Sequence, residues 1–90
     1  MRPWTVAERT ETGEEGQEYT YEYSVVVDEI SVSPGIACES YGVRVRRQDG
    51  EEGLIPNITV SAGRIGQLME LLVRNGVTPC TLRDVVDDWL

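Results

Sequence analysis

The segment from residue 61 to residue 90 most constrains the fold, because it carries two amphipathic stretches separated by a short break. Apolar residues recur in both stretches at the spacing of one helix face: Ile65, Leu68, Met69 and Leu72, then Leu82, Val85, Val86 and Trp89. The pattern predicts helices over 62–75 and 79–89. Both stripes must be buried, so we expect the helices to cover a sheet formed by the preceding residues.

Capping residues and glycines refine the two helices. Ser61 is the expected N-cap of the first helix, and Gly76 is the residue expected just after its C-terminus. The second helix begins at residue 79 or, alternatively, after Thr81. Gly63 and Gly66 each weaken the first helix by about 1 kcal/mol relative to alanine. Their presence predicts that its first turns lie close against the sheet or another backbone.

Four earlier segments alternate apolar and polar residues as strands do: 3–10, 19–30, 38–48 and 54–60. The clearest pattern lies in 19–30, where Tyr19, Tyr21 and Tyr23 share one face. Such a row can belong to a sheet core or form a platform for a small ligand, and the core is favoured because the neighbouring residues are glutamates. Pro56 has no N–H for a ladder, so the last segment is expected at a sheet edge.

The first strand, with Trp4 and Val6 on one face, leads into the acidic segment 11–18. Its glutamates and glycines predict an exposed loop. A calcium site is disfavoured, because the segment lacks the alternating aspartate and asparagine ligands of calcium loops.

A type II turn at Ser33-Pro34-Gly35 joins the second and third strands. Paired residue numbers across this hairpin should then sum to about 68. This register places Val25 opposite Val43 on an apolar face toward the helices. On the other face it places Glu22 opposite Arg46. The sequence therefore predicts an ion pair there rather than an anion site built from Arg44, Arg46 and Arg47.

The charge composition excludes several classes of function. The chain has 16 acidic residues against 8 basic ones, all of them arginine, and no histidine, for a net charge of −8. Nucleic-acid binding needs a basic footprint and is not expected. Histidine-based catalysis and metal ligation are excluded. We expect no catalytic residue, no metal and no cofactor, and no apolar run approaches the length of a membrane span.

The chain of 90 residues is expected to form a single domain over residues 1–90. Cys38 and Cys80 lie in different predicted elements without zinc-type spacing, and no signal peptide precedes them. We expect both to be free thiols in a reducing cytoplasm, although a disulfide between them stays open at this point.

Two groups of side chains on the predicted helices are candidates for an interaction surface. Leu71 lies off the apolar stripe of the first helix, and Asp84, Asp87 and Asp88 share the polar face of the second helix. A divalent ion on those carboxylates is disfavoured, because helical carboxylate sites recruit ligands from other helices. Trp89 continues the apolar stripe and is predicted to anchor the core.

A resemblance adds to this reading over roughly residues 38–90. The relevant stretches are SYGVRV, LIPNITV and the ending VTPCTLRDVVDDWL, which includes Asp84 and Asp88. Together they resemble domain-of-unknown-function family 6514, a family of small uncharacterised proteins from clostridial Firmicutes. The resemblance implies the element order and a bacterial cytoplasmic origin, and it implies no activity.

These observations predict an α+β fold, a three- or four-stranded antiparallel meander covered on one face by two C-terminal helices. The expected function is that of a non-enzymatic interaction or regulatory module of the bacterial cytoplasm with an unknown protein partner. Leu71, Asp84, Asp87, Asp88, Arg44 and Arg46 form the candidate interaction surface. Leu71, the edge at Pro56 and the small core also predict a homo-oligomer, as a symmetric dimer. The alternative is a small-ligand-binding or accessory subunit that uses the tyrosine face.

Overall fold

Four antiparallel strands form one sheet, and two C-terminal helices pack on one of its faces. The computed structural model describes residues 2–90, with side chains from Trp4 onward; Met1, which the predicted domain includes, lies outside the described residues. The elements are β1 (Arg2–Thr12), β2 (Glu18–Ser33), β3 (Ile36–Arg47), β4 (Glu52–Thr59), α1 (Ala62–Arg74) and α2 (Leu82–Trp89). Their spatial order is β1-β2-β3-β4. The α+β meander is confirmed, with four strands.

The predicted acidic loop over 11–18 is shorter in the structure. Residues 11 and 12 continue β1, where Glu11 pairs with Tyr19, and β2 begins at Glu18. The turn between them is closed by a hydrogen bond of 2.6 Å from the Gly13 N–H to the Gln17 carbonyl oxygen. Strand pairing, which the composition of this segment does not reveal, therefore extends both strands toward the turn.

The helix ends follow the capping residues. Ser61 Oγ accepts a hydrogen bond of 3.2 Å from the Arg64 N–H, as expected of an N-cap. At the other end, the Val77 N–H donates to the Leu72 carbonyl oxygen and the Gly76 N–H to that of Val73, which is a Schellman motif. The predicted start of the second helix at residue 79 is wrong, because α2 begins at Leu82 after the alternative N-cap Thr81.

The predicted register of the β2–β3 hairpin is confirmed. Val25 pairs with Val43 and Glu22 with Arg46, and Gly35 has the positive φ of 78° that the turn requires. β4 is an edge strand, as Pro56 predicted. It bulges at Pro56 and Asn57, between the pairings of Val43 and Tyr41.

The core lies between the helices and the sheet face of the odd-numbered β2 residues. The tyrosine row belongs to it: Tyr21 and Tyr23 are buried, and Tyr19 packs at its margin. Its other main members are Val43, Val45, Ile65, Leu68, Met69, Leu72, Leu82 and Val86. The face proposed as a ligand platform is therefore covered by the protein's own helices.

Two side chains lie differently from their predicted places on the helices. Trp89 is half-buried against the core rather than enclosed in it, and the Arg64 guanidinium stacks over its ring at 4.5 Å. Leu71 is also half-buried and packs against the core, although it lies off the main stripe. The short α2 leaves its last turn at the margin of the sheet, so Trp89 covers the core edge.

The prediction that Gly63 and Gly66 meet another backbone is wrong. A Cβ at Gly66 would meet nothing within 4 Å, and one at Gly63 would meet only Ser61 Oγ at 3.8 Å. The close approach occurs in the sheet instead. A Cβ at Gly42 would clash with the Ile55 carbonyl oxygen, because the β4 bulge crosses that residue.

β2 and β3 extend beyond both of their neighbours. Among residues 2–90, β1 pairs with β2 as far as Val27, and β4 pairs with β3 as far as Tyr41. Beyond these points the two strands continue as a two-stranded hairpin to the turn at Pro34-Gly35, and we call residues 29–39 the arm. The arm contributes to a molecular length of 55 Å.

Candidate interaction surfaces

The arm has one apolar face that is exposed. Ile30 and Cys38 are register partners, and Val32 and Ile36 follow two residues nearer the tip on each strand. Ile30, Val32 and Ile36 are 36%, 62% and 59% exposed. Strand alternation places Ile30, Cys38 and Ile36 on the sheet face opposite the helices. A bulge between Ser31 and Ser33 puts Ser33 opposite Ile36 and leaves Val32 as the extra residue beside this pair. We call the side chains of Ile30, Val32, Ile36 and Cys38 the apolar stripe. Glu29 and Glu39 point to the other face, whereas Asp28 lies on the stripe's face just beyond Ile30, at the inner end of the arm.

The same sheet face is covered where it runs into the body of the protein. Val26 lies on this face and is only 1% exposed. Its register partner is Gly42, over which the backbone of the β4 bulge passes. The protein's own chain thus buries the inner end of this apolar line and leaves the part on the arm open.

A second exposed apolar surface is a groove of about 680 Å³ between β1 and α1. Trp4 and Val6 form one wall, Val25 and Tyr41 the floor, and Ile65, Gly66, Met69 and Val73 the other wall. Trp4 and Val6 share this groove as their predicted common face implies, but they are 69% and 52% exposed. A bulge between Thr5 and Ala7 displaces Val6 from the regular ladder. We call this feature the groove; Glu70 and Arg74 supply its charged side chains.

The arginine cluster does not converge on one site. Arg44 Nη2 lies 3.0 Å from Glu22 Oε1, so Arg44 takes the carboxylate that the register placed opposite Arg46. The predicted Glu22–Arg46 pair is therefore wrong in its partner, because the arginine reaches diagonally across the strands. Arg46 is exposed beside a small depression of about 160 Å³ that Glu8 and Glu22 also line. Carboxylates at its edge make it a poor site for an anion.

Arg47 points to the helix side of the sheet, away from the face of Arg44 and Arg46. Its guanidinium donates to Asp49 Oδ1 at 2.9 Å, lies 2.8 Å from Glu51 Oε2 and stacks at 5.1 Å over the Tyr19 ring. The hydrogen bonds from Arg47 lower the pKa of Asp49 to about 2. These contacts brace the β3–β4 turn.

The acids of α2 lie on the solvent-exposed surface of the helix. Asp84, Asp87 and Asp88 are all exposed on this helix. Among the residues that the structure describes, no group of three or more histidine, cysteine, aspartate or glutamate side chains could hold a metal ion. The structure therefore places these acids as a solvated helix face.

Both cysteines are free thiols. Cys38 lies in β3 on the arm, and Cys80 lies just before α2. The Cys80 Sγ donates a hydrogen bond of 2.9 Å to Glu51 Oε1. That bond and the nearby negative charge raise the pKa of the Cys80 thiol, which disfavours the reactive thiolate.

Neither the apolar stripe nor the groove was identified from the sequence. The predicted second strand ended at residue 30 and the third began at 38, so Val32 and Ile36 fell outside both. A signal was present: Ile30, Val32, Ile36 and Cys38 continue the period of two on each side of the Pro34-Gly35 turn. The groove had no such signal, because α1, β1 and the sheet form it only together.

No helix among residues 2–90 is long and apolar enough to cross a membrane. The comparison with curated proteins and the comparison with solved structures each found no match. A family model for a family of unknown function, DUF6514, matches residues 4–90. The match includes the first two strands, which the resemblance over residues 38–90 left out. By this match across nearly its whole length, the chain belongs to DUF6514.

Proposed function

We propose that this chain is a small non-enzymatic protein-interaction module of the bacterial cytoplasm and that it binds through the apolar stripe of the arm. The observation that carries the proposal is an apolar sheet face that no described part of the chain covers: Val32 and Ile36 are both more than half exposed. A two-stranded hairpin is marginally stable by itself in water. A partner on the stripe would bury aliphatic surface and order the arm at the same time.

The non-enzymatic part of the proposal is supported by the side-chain inventory. The chain has no histidine, so its serine, threonine and cysteine side chains lack the usual general base. Cys80 also donates its hydrogen bond to a carboxylate, which disfavours its thiolate. The two free thiols support a reducing compartment.

The residues of the predicted interaction surface differ in how much they can contribute to partner binding. Leu71 packs against the core, and Arg44 is engaged with Glu22. Arg46 and the acids Asp84, Asp87 and Asp88 are exposed and can contribute charge to a partner's rim. The binding energy is expected from the apolar stripe instead, since hot spots are usually desolvated apolar or aromatic side chains.

The test uses the chain as an immobilised bait for bacterial lysate. We compare wild type, the double variant Val32→Ser/Ile36→Ser, and Val60→Ser as the matched control. Val60 is a valine with 60% exposure outside the arm, close to the 62% of Val32. Retained proteins, including an untagged copy of the chain itself, are quantified by mass spectrometry. We expect a specific protein to be retained by wild type and the control and lost from the double variant.

Retention that is the same for all three baits would contradict the proposal. Circular dichroism and thermal unfolding of each bait show whether the arm substitutions leave the fold intact. Since both substituted side chains are already exposed, we expect melting temperatures close to that of wild type.

The groove supports a second candidate function, the binding of a small apolar ligand. Its volume of about 680 Å³ and its aliphatic and aromatic walls are typical of small-molecule sites. This candidate keeps the ligand-binding function of the alternative given in the sequence analysis, but the binding site is the groove instead of the tyrosine face. An apolar fluorescent probe, anilinonaphthalene sulfonate, tests it against Gly66→Leu, which places a side chain in the open space of the groove, and Gly63→Leu as a control. Probe binding lost only in Gly66→Leu would support this function, and equal binding would oppose it.

A further inference from the structure

We infer that the occupant of the apolar stripe is the same stripe of a second copy, with the two arms packed face to face about a twofold axis. This inference rests on the proposed function and names its partner. An isologous contact requires a surface that complements itself. The aliphatic side chains of the stripe meet that requirement, because packing Ile30, Val32 and Ile36 of two copies together brings no charged group of the stripe into the contact.

The charge distribution favours the arm over the rest of the surface as the place where two copies can meet. With a net charge of −8, two copies repel each other. Glu14, Glu15 and Glu18 lie at the turn where β2 begins, whereas the arm lies where β2 ends. Because β2 spans 16 residues, roughly 50 Å separates the two ends.

When two arms overlap tip to base, the acidic turns of the two copies lie at the far ends of the dimer. Their separation is then several times the Debye length of roughly 8 to 10 Å at physiological salt, so their repulsion is screened. The acids of the arm itself, Glu29 and Glu39, lie on the face away from the contact.

The size of the stripe sets the expected strength of the dimer. Ile30, Val32 and Ile36 with Cys38 offer less surface than the roughly 800 Å² per partner of stable complexes. A weak, reversible dimer is expected, with a dissociation constant on the order of 10 to 100 μM. A high concentration of sulfate should strengthen it, because this salt is excluded from protein surfaces and favours apolar burial.

Sedimentation velocity over a dilution series tests the inference, with wild type, Val32→Ser/Ile36→Ser and the control Val60→Ser. We expect the mass of wild type and of Val60→Ser to rise toward that of a dimer with concentration. The arm variant should require at least tenfold higher concentration. Equal dimerisation of all three proteins would overturn the inference.

A second measurement locates the contact. A nitroxide is attached at Ser31→Cys, on the helix-side face of the arm, in a Cys38→Ala/Cys80→Ser background. This spin-labelled protein is then mixed with a ¹⁵N-enriched copy of the protein that carries no nitroxide. Broadening of the amides of residues 29–39 in the enriched copy supports an arm-to-arm contact. Broadening confined to Trp4 and its groove overturns it.

The two proposals can fail separately. If wild type stays monomeric through the series while the arm variant loses a retained lysate protein, the second copy is not the occupant and the interaction function stands. If wild type stays monomeric and the arm substitutions change no retained protein, both proposals fail.

Discussion

Arg9 of β1 donates a hydrogen bond of 2.7 Å from Nη1 to the carbonyl oxygen of Val73, in the last turn of α1. The same nitrogen donates to the Arg74 carbonyl oxygen at 3.0 Å, and the guanidinium also pairs with Glu11. The Val73 carbonyl oxygen also accepts from the Gly76 N–H, so the bond from Arg9 adds a second donor at the negative end of the helix dipole. A cation from the first strand therefore caps the helix and ties the edge of the sheet to the helical layer.

We predict that Arg9→Met lowers the free energy of unfolding by about 1 to 3 kcal/mol, because two charge-assisted hydrogen bonds to a helix C-terminus are lost. Urea denaturation measures the change. Arg46→Met is the control, since Arg46 is an exposed arginine on the same sheet, and it should cost no more than about 0.5 kcal/mol. Equal losses in the two variants would mean that the contacts of Arg9 contribute nothing beyond those of a surface charge.

Tyr23 makes the second link between the sheet and the end of α1. Its buried hydroxyl donates a hydrogen bond of 3.0 Å to the Val77 carbonyl oxygen. Burial raises the pKa of Tyr23 above 10.0, and the positive charge of Arg9 partly opposes this. Tyr23→Phe should cost about 1 to 2 kcal/mol, because the Val77 carbonyl is left without this donor.

The alkaline pH dependence of stability provides a separate readout for Tyr23. The unfolded chain loses the tyrosine proton near pH 10.0, before the folded protein does, so unfolding releases a proton above that pH. The contribution is fully present below pH 10.0 and is lost as the pH rises through the folded pKa. Denaturation at pH 9 to 11 should show a shallower decline for Tyr23→Phe than for wild type. Parallel declines would show that other groups cause the loss.

Trp89 tests how far the second helix stabilises the domain. Because the ring is half-buried, we expect Trp89→Ala to cost about 2 to 3 kcal/mol, less than the 3 to 5 kcal/mol of an enclosed tryptophan. Arg64→Ala should cost about 0.5 to 1 kcal/mol through its stacking on that ring. Guanidinium unfolding of both single variants and the double variant should show non-additive losses. Fully additive losses of unfolding free energy would show that the stacking of Arg64 on Trp89 does not contribute to stability.

Alanine substitutions at Gly66 and Gly42 should change stability in opposite directions, because the surroundings of the two glycines differ. Gly66→Ala should raise stability by about 0.5 to 1 kcal/mol, since a helical glycine is replaced where a Cβ meets open space. Gly42→Ala should lower it by about 1 to 3 kcal/mol, because the Cβ would press on the backbone of β4 at Ile55. Thermal unfolding of the two variants decides the point. A loss of stability in Gly66→Ala would indicate that α1 lies close to another backbone at this position after all.

The Cys80–Glu51 hydrogen bond predicts the reactivity of the thiol. Glu51 raises the pKa of Cys80 through its hydrogen bond and its charge, so less thiolate is present at neutral and mildly alkaline pH. In a Cys38→Ser background, Glu51→Gln should increase the rate of iodoacetamide alkylation at pH 8. Glu52→Gln, a neighbouring exposed acid, is the control. The same alkylation rate in both variants would show that the Glu51 carboxylate does not affect the reactivity of the Cys80 thiol.

The sequence by itself determined the element order, the core faces and the register of the central hairpin. These features follow from local rules: the 3.6-residue and two-residue periods, the positive φ at Gly35 and the missing N–H of Pro56. Each of them involves residues that are close in the chain or joined by one tight turn. The burial of Tyr21 and Tyr23 followed from the same alternation.

The tertiary structure alone decided which residues meet across elements. Arg44 rather than Arg46 reaches Glu22, because long side chains on a twisted sheet pair diagonally as well as directly. Gly42 rather than Gly66 meets another backbone, since only the folded β4 bulge brings one there. The apolar stripe and the groove also depend on it. The stripe is exposed because, among the described residues, β1 and β4 stop pairing before β2 and β3 end, and a strand's own alternation does not reveal where its neighbours stop. The groove forms only where α1 and β1 meet over the sheet.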